Sequence, residues 1–96
     1  MSPARKRSPA PSLAGVFDRL LVDIVSGRYP AGTHLPAERD LARTVGASRP
    51  TLREALRRLG EWQMVAPRRG SGVTVRDKRE WALDVLPAYL RHGAGA

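Results

Sequence analysis

Arg49, Arg53 and Arg57 recur at every fourth position of SRPTLREALRRLG, which on a helix sets them along one exposed ridge. Three aligned guanidinium groups repel one another unless something anionic sits opposite, so the ridge calls for an anionic partner. A second cationic group follows in QMVAPRRGSGVTVRD, where Arg68 and Arg69 precede Gly70, Ser71 and Gly72. A turn there presents guanidinium groups beside a backbone that a partner can approach closely, because glycine carries no side chain to hold it off.

Such groups need elements to position them. Residues 35–60, LPAERDLARTVGASRPTLREALRRLG, read as two short helices joined by a tight turn. The first of the pair is expected from about Ala37 to Val45, with Leu41, Ala42 and Val45 inward, Arg39, Asp40 and Arg43 outward, and Gly46 ending it. Ser48 is placed to cap the next helix, in which Leu52, Ala55, Leu56 and Leu59 mark the buried i, i+3, i+4, i+7 stripe. Pro50 falls in its first turn, where a missing N–H is tolerated, and Glu54 is spaced to pair with Arg58.

Ahead of this pair, LAGVFDRLLVDIVSG has apolar residues at helical spacing from Val16 to Val25, with Ser12 as N-cap and Gly27 as left-handed terminator. RYPAGTHLP, with its prolines and glycine, reads as a turn-rich connector. Behind the pair, short apolar runs around Val65 and Val73–Val75 flank a Pro67–Gly72 turn, the pattern of a hairpin. A basic hairpin directly after a basic helix is the winged form of a helix-turn-helix. The expected fold class is therefore mainly α with a small β-hairpin wing: a three-helix core, the wing and a C-terminal linker helix.

Composition narrows the function. The 96 residues hold one small domain, and 17 Lys and Arg against 9 Asp and Glu give a formal charge of +8. Eleven of the basic residues lie between Arg39 and Arg79 with four acidic ones, so the polyanion-facing surface is expected there. With no cysteine there is no disulfide, no thiolate zinc site and no thiol nucleophile. His34 and His92 stand alone, without metal-ligand spacing, and no GxxxxGK[ST] is present. No metal, no cofactor and no catalytic residue is expected, and the chain does not read as an enzyme. No apolar run approaches the roughly 20 residues that span a bilayer, so no membrane partner is expected. Residues 1–11, with Arg5, Lys6 and Arg7 among prolines, read as a disordered basic arm rather than a secretory signal.

Several residues have plain explanations. Trp62 is expected to pack beneath the wing, and Arg57 and Arg58 to form a solvated helix face rather than phosphate contacts. Trp81, Tyr89 and Leu90 read as apolar surface awaiting a partner.

Taken together, LPAERDLA, GASRPTLREALRRL and the wing RRGSGVTV resemble the DNA-binding domain of GntR-family bacterial transcription regulators, over about residues 13–76 and in unbroken order. The tail DKREWALDVLPAYL is similar to the linker and first helical segment that precede the all-helical effector domain of the FadR subgroup. The resemblance implies a winged helix-turn-helix over residues 12–76 and a linker over 77–96 that leads toward an effector-binding domain. It implies a cytoplasmic regulator, a repressor by preference, bound as a homodimer to a short palindromic double-stranded DNA operator through helix 48–59 and wing 67–75. A small-molecule effector would enter only through a further domain.

Residue by residue, Arg39 matches a family DNA contact, and Ser48, Arg49, Thr51 and Arg53 match the recognition-helix positions. Hydroxyls and a helix N-terminus suit phosphate, and guanidinium groups suit guanine O6 and N7, with Arg49 the first choice for base reading. Pro50 departs from the Thr often found at its position and removes a donor. Arg69 and Gly70 match the wing-tip residues that enter the minor groove, and Arg68 is a phosphate partner. Two alternatives stay open on the residues alone. One is a basic nucleic-acid or RNA-binding module without sequence preference, and the other a protein-interaction module using Trp81–Leu90.

Overall fold

The computed structural model describes residues 11–68 and 72–93. Helix α1, Leu13–Val25, starts where Ser12 Oγ accepts from the Gly15 amide at 3.1 Å, and buries Val16, Leu20, Leu21, Ile24 and Val25 along one face. Gly27, at φ +91°, closes it: the Gly27 amide donates to Ile24 O and the Arg28 amide to Asp23 O. This pair of bonds satisfies the last carbonyls and needs the left-handed conformation that glycine adopts freely.

Helix α2, Glu38–Val45, turns Leu41, Ala42 and Val45 inward and ends at Gly46, φ +74°. Only Ala47 separates that reversal from Ser48, whose Oγ accepts from the Thr51 amide and caps helix α3, Arg49–Glu61. Leu52, Ala55 and Leu59 are fully buried in α3, and Pro50 sits in its first turn. Leu56 departs from expectation and is only half-buried, because it falls at the flank of the stripe, beside Val65, Pro67 and Val73. After α3 the chain reverses through Gln63 at φ +63°, with the Met64 amide bonded to Leu59 O. A non-glycine residue therefore fills a position where glycine is the usual choice.

The wing is an antiparallel hairpin of β1, Val65–Arg68, and β2, Gly72–Val75, in the register Val65↔Val75 to Arg68↔Gly72. Pro67 and Arg68, expected in the turn, belong to β1. Val73 O accepts from the Leu35 amide on the other side of β2, so the Pro67–Val73 pair is a non-hydrogen-bonded one. The nitrogen of Pro67 accordingly faces the open edge of the hairpin, where it removes no ladder bond and blocks pairing by another strand.

The connector also departs from expectation. Besides its turns, it pairs with the far edge of β2: Gly32 N to Val75 O at 2.8 Å, Val75 N to Thr33 O at 2.9 Å and Leu35 N to Val73 O at 2.8 Å. The wing is thus tied at its base to the chain segment that leads into α2.

Helix α1 packs on α3, and α2 packs on α3. Leu20, Leu41, Leu52, Leu59, Met64 and Val75 are all but inaccessible at the centre. Trp62 does not lie beneath the wing; its ring meets Phe17 of α1 edge-on, with centroids 5.1 Å apart. Beyond β2, two single 3₁₀ turns, Lys78–Glu80 and Leu83–Val85, lead to α4, Leu86–His92, which packs on α1. Val85 joins the core at 1% exposure. Trp81 and Tyr89 are half-buried against that core instead of lying free, and the Trp81 Nε1–H donates to Arg76 O at 3.1 Å. Leu83, Leu86 and Leu90 are exposed. Among the described residues no helix is long and apolar enough to cross a membrane, and no cluster of His, Asp and Glu could hold a metal ion.

Candidate nucleic-acid interface

The turn at Gly46–Ser48 brings the N-terminal end of α2 against the N-terminal half of α3. Arg49 and Arg53 lie one turn apart on α3 with side chains 55% and 59% exposed. The anion that their alignment requires comes from the protein itself. Glu38, the first residue of α2, accepts from Arg49 Nε through Oε1 at 2.8 Å and from Arg53 Nε through Oε2 at 2.7 Å, with Arg53 Nη2 at 3.2 Å from Oε1. Hydrogen bonds from Arg53 and then Arg49 hold the Glu38 carboxyl below its ordinary range, and Glu38 in turn raises Arg53.

The sequence reading missed Glu38. Its signal was faint: a carboxylate immediately before Arg39, eleven and fifteen positions ahead of the arginines it holds.

The ridge divides further along. Arg57, aligned with Arg49 and Arg53 in sequence, pairs with Glu54 at 2.6 Å and Glu61 at 2.5 Å, and Arg58 reaches Glu54 at 3.4 Å. Glu54 therefore serves Arg57 first and Arg58, its expected partner, second. The stretch from Glu54 to Glu61 is balanced in charge, two arginines against two glutamates, whereas Arg49 and Arg53 together exceed Glu38, and Arg39 and Arg43 of α2 are exposed. Neither Arg39 nor Arg43 pairs with a carboxylate among the described residues.

The Arg57 hydrogen bond is the main cause that pulls the Glu54 carboxyl down from 4.5 to about 2. A depressed carboxylate contributes stability above its unfolded pKa and loses it as pH falls through the folded one. A carboxyl-carbon NMR titration of Glu54 is expected to show a midpoint near 2, with its share of stability present above pH 4.5 and fading from there to about 2. A midpoint at the ordinary glutamate value would remove the pairing from solution.

At the tip, the Ser48 hydroxyl donates to Thr51 Oγ1 at 2.9 Å while its oxygen accepts the Thr51 amide. Ser48 is thereby committed to capping, and the proton of the Thr51 hydroxyl is left to donate outward. Of the first-turn amides, Pro50 has none and that of Thr51 is used, so the helix end offers less to phosphate than its position suggests. Arg68 closes β1 opposite Gly72. Arg69 and Gly70, the expected wing tip, lie outside the described residues. Arg49 and Arg53 thus share one face of α3, with Ser48 and Thr51 at its N-terminal tip and Arg39 on the adjoining helix.

Two helices joined by the three residues Gly46, Ala47 and Ser48, the second with a cationic outer face and a hairpin behind it, define a winged helix-turn-helix. The chain belongs to the family described as bacterial regulatory proteins, gntR family, which it matches over residues 13–75. It is 47% identical over 76 residues to the HTH-type transcriptional regulator Mce2R of Mycobacterium tuberculosis, covering 78% of this chain and 32% of that protein. With the Fatty acid metabolism regulator protein of Vibrio cholerae it shares 45% identity over 51 residues, 52% of this chain and 18% of that one. Among solved structures, a GntR family transcriptional regulator from Listeria monocytogenes superposes with a TM-score of 0.72 at 25% identity, covering 88% of this chain and 74% of that one. The chain spans about a third of the length of Mce2R.

Proposed function

We propose that this chain is the double-stranded DNA-binding part of a transcriptional regulator that reads a specific sequence with α3 and the wing. The observation that carries this reading is the pair Arg49 and Arg53, exposed on the N-terminal half of α3 and held side by side at their Nε edges. That arrangement leaves the end of each guanidinium to meet O6 and N7 of guanine in the major groove. Arg39 and Thr51 contact the backbone beside them, Ser48 fixes the helix tip, Arg68 binds phosphate, and Arg69 with Gly70 enters the minor groove.

Two copies bind a short palindrome, because paired half-sites match a two-fold arrangement of readers, and occupation of the site represses transcription. Residues 12–76 are the reading unit. Residues 77–96 lead toward an effector-binding domain of the FadR type, a reading supported by the likeness to the Vibrio cholerae regulator and by the exposure of Leu83, Leu86 and Leu90. Such a regulator works in the cytoplasm.

Selection from a random duplex pool tests the proposal. Enrichment of one palindromic motif is the expected result, and a pool that stays flat after repeated rounds, with binding that depends on salt alone, would contradict it.

A further inference from the structure

We infer that Glu38 is a positioning residue that sets how sharply the chain discriminates its DNA site from other DNA, an inference that rests on the base-reading role proposed for Arg49 and Arg53. A guanidinium has five N–H groups: one edge formed by Nε–H and a neighbouring Nη–H, and an end formed by one N–H from each Nη. Glu38 occupies the first of these on both arginines. On Arg53 it accepts from Nε and Nη2 together, and on Arg49 from Nε alone. The ends of both groups, the pair of donors that matches O6 and N7 of guanine, stay open.

Two consequences follow for binding. First, arginine has many rotamers, and a side chain already held in place loses less freedom when it meets a base. Second, one carboxylate set against two guanidinium groups halves their excess charge at the tip, which weakens the grip on phosphates of any sequence. Both effects widen the gap between the preferred duplex and the rest. The same logic runs along α3, where Glu54 and Glu61 engage Nε, Nη1 and Nη2 of Arg57 and so leave Arg49 and Arg53 as the ridge arginines with open ends among the described residues.

The test compares wild-type chain, Glu38→Gln and Glu38→Asp on two duplexes: the one enriched from the random pool and a scrambled duplex of equal composition. Glutamine keeps the size and loses the charge, so binding to the scrambled duplex should strengthen, with a salt dependence steeper by about one phosphate equivalent. Binding to the enriched duplex should not strengthen, so the ratio of the two affinities falls about tenfold. Aspartate is one methylene shorter and can hold one arginine at a time, so its ratio should lie between. Thermal melting establishes that both variants fold, and a role confined to packing α2 on α3 would weaken both duplexes in proportion and leave the ratio alone. An unchanged ratio in Glu38→Gln, or a wild-type ratio in Glu38→Asp, overturns the positioning role. A wild-type chain with equal affinity for both duplexes overturns the base reading itself, and with it this inference.

Discussion

Replacing Arg49 with alanine is expected to weaken binding to the preferred duplex by roughly 1–3 kcal/mol and to relax the base preference at one position per half-site. Under the proposed reading the loss is specific, because the end of the Arg49 guanidinium, whose Nε is bonded to Glu38, would meet one base pair, whereas phosphates repeat along any sequence. Arg68→Ala is the matched control. A phosphate contact there predicts weaker binding to every sequence alike and a salt slope shallower by about one. Affinities of both variants for the preferred and scrambled duplexes separate the roles, and equal losses on both duplexes for both variants would sink the division of labour.

Leu52→Ala is expected to cost roughly 2–5 kcal/mol of folding stability, through the lost transfer energy and the cavity left behind. Leu52 is completely buried, one residue beyond Thr51, on the face of α3 that joins the core. Domains of this size hold only about 5–15 kcal/mol in total, so this one change takes a large share. Leu56→Ala, at a half-buried position beside the wing, should cost clearly less. Denaturant unfolding with an unchanged slope and a lowered midpoint checks both, and equal losses at the two positions would contradict the packing described for α3.

Most of the framework could be read from local signals. Ser12 and Gly27 bound α1, Gly46 stops α2, and Ser48 starts α3, because caps and left-handed terminators are decided by a few neighbouring atoms. The exposure of Arg49 and Arg53 on one ridge likewise follows from helical spacing.

What escaped the sequence depends on contacts between distant segments. Gly32–Leu35 carries no strand pattern of its own and pairs only because β2 is brought beside it. Gln63 adopts a left-handed conformation that its residue type does not announce; the bond from Met64 to Leu59 and the burial of Met64 hold it there. Trp62 turned to Phe17 rather than the wing, a choice set by how α1 lies across α3. Glu38 was missed for the same reason: helical spacing relates residues within α3, and the carboxylate that joins its arginines arrives from α2 across a turn.

Guanine N7 methylation interference on the enriched duplex, with wild-type chain and Arg49→Ala side by side, tests the central claim most directly, since N7 lies on the major-groove edge that the guanidinium end would meet. Methylation at one or two symmetrically placed guanines should block wild-type binding, and the block at one guanine of each half-site should vanish in Arg49→Ala. Interference that is uniform along the duplex, or identical in the two proteins, would contradict base reading by Arg49.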